Sequence, residues 1–368
     1  MKKILITAGL LLQVICLFAQ QLTNKGFELS GKRINLREPK DTAWKKRLGG
    51  VSGIELVNEN VLQADFEEVP WKCAPRKSPG ENKMVTLMVA DHQEEKERQV
   101  SYAFTINNNN VLERIYRIRS KISWVESIRY NSALKRFFFC YENDTETGIG
   151  YLDGSSYHVI FREPIPSENT SANRGIEGIS FSQDGQLWMA FESGGGTDCG
   201  TNKVVFNRMK VDAQNGIKLT LQRFYYDFEK CSCLLPPSGN QKKAPFSGGH
   251  GSGVSEILSL GSPDSLLVME RCFDSLNRKA KVKLYLATVQ PSSDLLKKEP
   301  LLDVQSLLPF EDKQHNVREE PGNIEGLAWS EDIGGRAAIT LLTDNNYSNT
   351  LKTMVMTVVL APGLKKDH

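Results

Sequence analysis

Beyond residue 19 no apolar stretch approaches the roughly 18 uninterrupted residues that a membrane-spanning helix needs, which argues against an integral membrane span. Neither sign of charge predominates, since 46 Lys plus Arg face 44 Asp plus Glu. A chain so close to neutral gives no reason to expect nucleic acid or an anionic membrane as partner. A Gly-x-Ser-x-Gly elbow, a P-loop and a His-Glu-x-x-His pair are all missing. Their absence counts against serine hydrolases, nucleotide enzymes and zincins. The glycine and proline contents, 29 and 15 residues, are too low for collagen or a disordered chain. What remains is a 368-residue chain able to bury a large core.

Met1 to Ala19 carries a basic start at Lys2 and Lys3, an apolar run from Ile4 to Phe18, and then Ala19-Gln20-Gln21. That pattern is a secretory signal peptide with cleavage after Ala19, and it implies a periplasmic or extracellular destination. Six cysteines follow: Cys73, Cys140, Cys199, Cys231, Cys233 and Cys272. An even count in an oxidising compartment permits disulfides, with 15 possible connectivities. A loop disulfide involving Cys199 is the expected form, while Cys140 and Cys272 stand in apolar runs and read as buried thiols.

The chain repeats itself. Val125-Glu126-Ser127-Ile128 leads to Phe137–Glu142, Ile176-Glu177-Gly178-Ile179 to Leu187–Glu192, Val254-Ser255-Glu256-Ile257 to Leu266–Glu270, and Ile324-Glu325-Gly326-Leu327 to Ile339–Asp344. Each copy reads as a short strand, a turn, and an apolar strand ending on a carboxylate. A weaker fifth copy runs from Val51-Ser52-Gly53-Ile54 to Val85–Asp91, with an insertion around Cys73. Starts at 52, 126, 177, 255 and 325 lie 74, 51, 78 and 70 residues apart, room for a four-stranded sheet each time. The expected fold is an all-β propeller of four-stranded blades, six within a range of five to seven. Two packed sandwiches are the alternative. The propeller occupies 49–362, between a 20–48 segment able to supply a ring-closing strand and a 363–368 tail.

In a propeller the start of each inner strand and the end of the next strand meet at one mouth of the central channel. Ser52, Glu126, Glu177, Ser255 and Glu325 take the first position, and Asp91, Glu142, Glu192, Glu270 and Asp344 the second. So many carboxylates at close quarters call for raised pKa values or a cation. Oxygen donors from separate strands suit Ca²⁺, with Glu126, Glu177, Glu192, Glu256, Glu270, Glu325 and Asp344 as candidate ligands. The alternative for any one acid is a hydrogen bond or ion pair that holds blades together. Arg129, Arg174, Arg271, Asn345 and His250 are candidate contacts for an anionic small-molecule ligand.

Several of these segments carry a family likeness. Asn173–Ile179, Gly253–Ile257, Glu270-Arg271, and Asn323–Leu327 followed by Asp344-Asn345-Asn346 resemble the bacterial phytase-like family, also described as esterase-like activity of phytase. The likeness extends from about Gly49 to Val359 and departs at the first blade, where Asp91-His92 stands in place of an Asp-Asp pair. It implies a secreted propeller that hydrolyses phosphate esters. The acidic mouth suggests how: Glu177 and Glu325 are the expected catalytic carboxylates, Ca²⁺ held by the acids lowers the pKa of a bound water, and Arg174 and Arg271 bind phosphate oxygens. A lactonase-type carboxylic ester hydrolase, or a calcium-stabilised propeller that binds a ligand or partner without catalysis, remains open beside it. The sequence does not reveal an oligomeric state.

Overall fold

The computed structural model describes residues 27–35, 50–70, 83–90, 101–106, 112–164 except 123 and 144, 175–192, 203–211, 221–229, 252–274, 279–307, 323–344 and 353–364, together with the short pairs 94–95, 98–99, 311–312 and 317–318. The N-terminal segment read as a signal peptide lies outside them. No described helix is long and apolar enough to cross a membrane.

Five antiparallel sheets follow one another along the chain, each written here from its inner strand outward. The first blade is Val51–Asn58, Met84–Ala90, Tyr102–Ile106 and Leu112–Ile118, with Phe66–Glu68 added at its outer edge. The second is Val125–Asn131, Arg136–Glu142, Glu146–Asp153 and Ser156–Pro164. The third is Ile176–Phe181, Gln186–Phe191, Lys203–Lys210 and Leu221–Asp227. The fourth is Ser252–Leu260, Ser262–Asp274, Lys279–Gln290 and Ser293–Asp303, and its outer strand touches that of the third through one parallel bridge, Tyr225 with Leu295. The fifth is Asn323–Trp329, Ala338–Asp344, Met354–Val359 and, outermost, Glu28–Asn35 from the other end of the chain. That last pairing joins the two ends of the ring, with Glu28 opposite Val359 and Asn35 opposite Met354.

Each inner strand packs against the next, and the fifth returns to the first. Five hydrophobic cores fill the five spaces between blades. In the second blade Phe137, Phe139 and Tyr141 face the first blade's Val85, Leu87 and Val89, whereas Phe138 and Cys140 face the third blade's Leu187 and Met189. Trp188 and Ala190 meet Leu266 and Val268; Leu267 and Met269 meet Ile339 and Leu341; Leu342 meets Met88 and Ala90. Both faces of every second strand are therefore buried. This explains why those strands read as unbroken apolar runs and not as an apolar–polar alternation. The ring is a β-propeller. The described residues give it five blades, the lower end of the expected range and one fewer than the favoured six.

The inner strands stand close together. A Cβ on Gly178 would lie 2.7 Å from Glu256 Oε1 and 2.8 Å from the Ile257 nitrogen, and one on Gly326 would lie 2.9 Å from Ile54 Cγ2. Glycine is thus required at these positions by contact between strands. At the outer turn it is required by conformation, as at Gly185 (φ 76°), where the Gly185 N–H donates to the Ser182 carbonyl at 2.8 Å.

Candidate functional site: an acidic channel mouth

At the same point of every blade the pairing between inner and second strands slips by one residue. Val51 pairs with Ala90 and Gly53 with Val89, leaving Ser52 opposite nothing. The same slip skips Glu126, Glu177, Ser255 and Glu325. A β-bulge bends its strand and re-aims the extra side chain, a device frequent beside functional sites. Here it is repeated five times at the position where the sequence places its first set of acids and hydroxyls.

The carboxylates ending the second strands are used differently. Glu142 Oε2 accepts the Gly175 N–H at 2.8 Å, and Asp344 Oδ1 accepts the Val51 N–H at 3.2 Å. In each case the acid of one blade caps the start of the next blade's inner strand. Between the third and fourth blades the main chain does this work, the Val254 N–H donating to the Glu192 carbonyl at 2.9 Å. That frees the Glu192 side chain, whose Oε1 accepts from Arg271 Nη2 at 2.9 Å, while Arg271 Nη1 pairs with Glu325. Arg271 of the fourth blade thus spans the third and fifth blades across the mouth.

Glu177 is 7% exposed. Burial, with the charges of Glu192, Glu126 and Glu142 around it, holds its carboxyl well above the usual range, against the opposing pull of Arg271. Arg271 is itself pushed up, because Glu325, Glu192 and Glu177 outweigh the cost of its burial. The mouth therefore gathers Glu126, Glu142, Glu177, Glu192 and Glu325 about a single described guanidinium. One of these acids, Glu177, is poised to keep a proton.

Below the mouth lies a second, fully enclosed group. Arg129 is 3% exposed, and its two terminal nitrogens donate to the carbonyls of Ile54 and Ile128 at 2.8 Å, Leu327 at 2.9 Å and Ile257 at 3.1 Å. Glu256, with no exposure, places Oε2 3.1 Å from Arg129 Nη2 and 2.8 Å from Ser127 Oγ, and takes the Ile257 N–H at 3.0 Å on Oε1. Burial pushes the Glu256 carboxyl up to about 7, in spite of Arg129 and these hydrogen bonds.

The structure thus divides the residues singled out from sequence. Glu126, Glu177, Glu192, Glu325 and Arg271 come together at the mouth. Asp344 stands at the same level as a cap. Arg129, expected at a ligand, has its two terminal nitrogens engaged on main-chain carbonyls, and Glu256, expected on a metal, has its oxygens engaged with Arg129, Ser127 and Ile257. Glu270 turns away between the third and fourth blades, accepting from Tyr226 Oη at 2.5 Å, from the Glu229 N–H at 2.9 Å, and from Lys298. Alternation along its strand sends Glu270 and Arg271 to opposite faces, so only one of them can reach the mouth. Arg174, Asn345, His250 and Asp91 lie outside the described residues. Among the described residues no three acidic, His or Cys side chains surround a common point that could hold a metal. Cys272 is disulfide-bonded, contrary to its expected role as a buried thiol, whereas Cys140 is a free, buried thiol.

A family model described as phytase-like, esterase-like activity of phytase, matches residues 79–347. The chain belongs to the phytase-like family. No curated protein matches it. Among solved structures it is similar to an endo-arabinase from Bacteroides thetaiotaomicron, at 12% identity over 82% of this chain and 95% of that one, with a TM-score of 0.44. An endo-1,4-β-xylanase from the same organism gives 14% over 82% and 95% at 0.44. A Penicillium chrysogenum α-L-arabinanase complexed with arabinobiose gives 10% over 91% and 100% at 0.41. Identities this low add nothing to this phytase-like chain's chemistry, which rests on its own mouth.

Proposed function

We propose that this phytase-like propeller is an exported hydrolase of phosphate esters acting at the acidic mouth. The observation that carries the reading is the fivefold bulge, which presents Glu126, Glu177 and Glu325 at one opening with Glu192 and Arg271 between them. Export through Met1–Ala19 is part of the proposal. It is supported by the disulfide at Cys272, a bond that persists in oxidising compartments.

Calcium fits the donor set in composition: the donors are all oxygen, and the carboxylates outnumber the guanidinium. Glu126 and Glu177, with the bulge hydroxyls of Ser52 and Ser255, are the residues that would hold it. Held there, Ca²⁺ would supply charge neutralisation for phosphate oxygens and a more acidic water. The chain's own groups do the rest. Arg271 pairs with Glu192 and Glu325 across the mouth and holds both carboxylates in place. Glu325 then serves as the general base toward water.

The excess negative charge favours a second reading. Without a cation the mouth repels a phosphate dianion but admits a neutral lactone, so carboxylic ester hydrolysis is the alternative reaction. Calorimetric titration of Ca²⁺ into Gln20–His368 and its Glu177→Gln variant, with p-nitrophenyl phosphate and a lactone panel assayed on the same samples, separates the readings. Calcium binding and phosphatase activity lost together in the variant support the proposal. Lactone hydrolysis alone selects the second reading. Neither binding nor hydrolysis by the intact protein refutes both and leaves a ligand-binding mouth.

A further inference from the structure

The inner strand of each blade pairs with a neighbour on one side only. Its other edge faces the channel with unpaired carbonyls, and burying such groups without donors is costly. The channel is narrow, as the glycine contacts between the described inner strands show. Arg129 stands in that channel. Four N–H groups of its guanidinium go to carbonyls on the first, second, fourth and fifth blades. The third blade is held through Gly178, which packs on the Glu256 carboxyl that faces Arg129.

The repeat explains why an arginine and an acid are found here. The residue after the bulge is Gly53, Gly178 and Gly326 in three blades. In the other two it is Ser127 and Glu256, which hydrogen-bond to each other across the channel at 2.8 Å. Ser127 and Glu256 thus replace glycine on two of the inner strands beside Arg129, and the Glu256 carboxyl supplies a further acceptor to the buried guanidinium. Only a planar fork of donors can serve four carbonyls from four directions at once; an ammonium has three donors on a single point.

We propose that Arg129 is the resident cation of the central channel, closing it beneath the mouth and fastening the inner strands through their free carbonyls. The acidic mouth is then a blind cup floored by Ser127, Arg129 and Glu256. Any ligand or added metal enters and leaves by the same opening, and none occupies the channel. This assignment holds whatever reaction the mouth performs.

The test compares Arg129→Lys with Glu256→Gln in the mature protein, by thermal melting in the presence of a chelator. If the carbonyls are what Arg129 serves, Arg129→Lys keeps the charge and still lowers the melting temperature by about 10 °C. Glu256→Gln, which keeps the shape and loses the charge, then costs less than half as much. Failure of Arg129→Lys to fold beside a folded Glu256→Gln carries the same meaning. An ordinary buried ion pair predicts the reverse order. Arg129→Lys within about 2 °C of the parent, or equal losses in both variants, including failure of both to fold, overturns the proposal.

Discussion

Gly178→Ala is the sharpest single perturbation of the ring. The added Cβ would stand 2.7 Å from Glu256 Oε1, 2.8 Å from the Ile257 nitrogen and 3.1 Å from Glu256 Cα. Two of these three atoms are main chain, so rotating a side chain cannot relieve the contact. Overpacking a well-filled interior costs about 1–3 kcal/mol, occasionally more. Here relief requires moving the fourth inner strand or the Glu256 carboxyl that faces Arg129, which places the cost at about 3 kcal/mol or above. At about 2 °C per kcal/mol for a chain of this size, the melting temperature falls by about 6 °C. Gly154→Ala is the control. Gly154 has φ 63° and nothing within 4 Å of a Cβ, so its substitution costs only backbone strain of about 1–2 kcal/mol. Circular dichroism melts of the two variants and the parent, with chemical denaturation alongside, decide the matter. A Gly178→Ala protein as stable as the parent, or no less stable than Gly154→Ala, refutes the close approach of the third and fourth inner strands.

Two further expectations concern charge and capping. The Glu256 carboxyl is raised from 4.5 to about 7, so its neutral form favours the fold; that contribution is complete below about pH 4.5 and is lost as pH rises to 7. Stability in chelator should therefore decline by about 3 kcal/mol across that window. The buried Glu177, raised in the same direction, adds to the decline, and Glu256→Gln should remove the Glu256 share; a flat or rising profile in the parent refutes the assignment. Asp344→Ala removes the acceptor from the buried Val51 N–H and should cost about 2 kcal/mol in urea unfolding, whereas Asp344→Asn, which keeps an acceptor, should cost less. Equal losses from both would show that the cap contributes through charge alone.

Much of the architecture was legible because propeller blades bury both faces. The runs Phe137–Tyr141 and Leu266–Met269 alternate between two cores, so they stand out as unbroken apolar strands, and their recurrence after a short Glu/Ser-containing strand exposes the unit. Blade number was not legible from the same signal. Spacing between copies counts residues, and in this chain those residues also make the extra edge strand Phe66–Glu68 and the 13-residue second strand of the fourth blade. Ring size is decided where strands meet far apart in sequence, as at Gly178 with Ile257 or Gly326 with Ile54.

The acids show the same limit at the scale of a side chain. Their repetition was visible, but the two positions of the repeat have separate physical causes that a linear reading merges. The first is the bulge residue that the strand register skips. The second stands at the end of a strand, where the buried N–H at the start of the next blade needs an acceptor; Glu142 and Asp344 supply it. Where the main chain of Glu192 already provides that acceptor, the side chain is released to Arg271, and the mouth gains its guanidinium bridge. Arg129 was harder still, because an arginine flanked by Ile128 and Tyr130 in a strand looks like a group facing solvent or ligand. Its role depends on carbonyls contributed by Ile54, Ile257 and Leu327, residues 75, 128 and 198 positions away. Only closure of the ring brings those acceptors to one place, so the acidic mouth and its floor are both consequences of blade number, the quantity the repeat spacing left open.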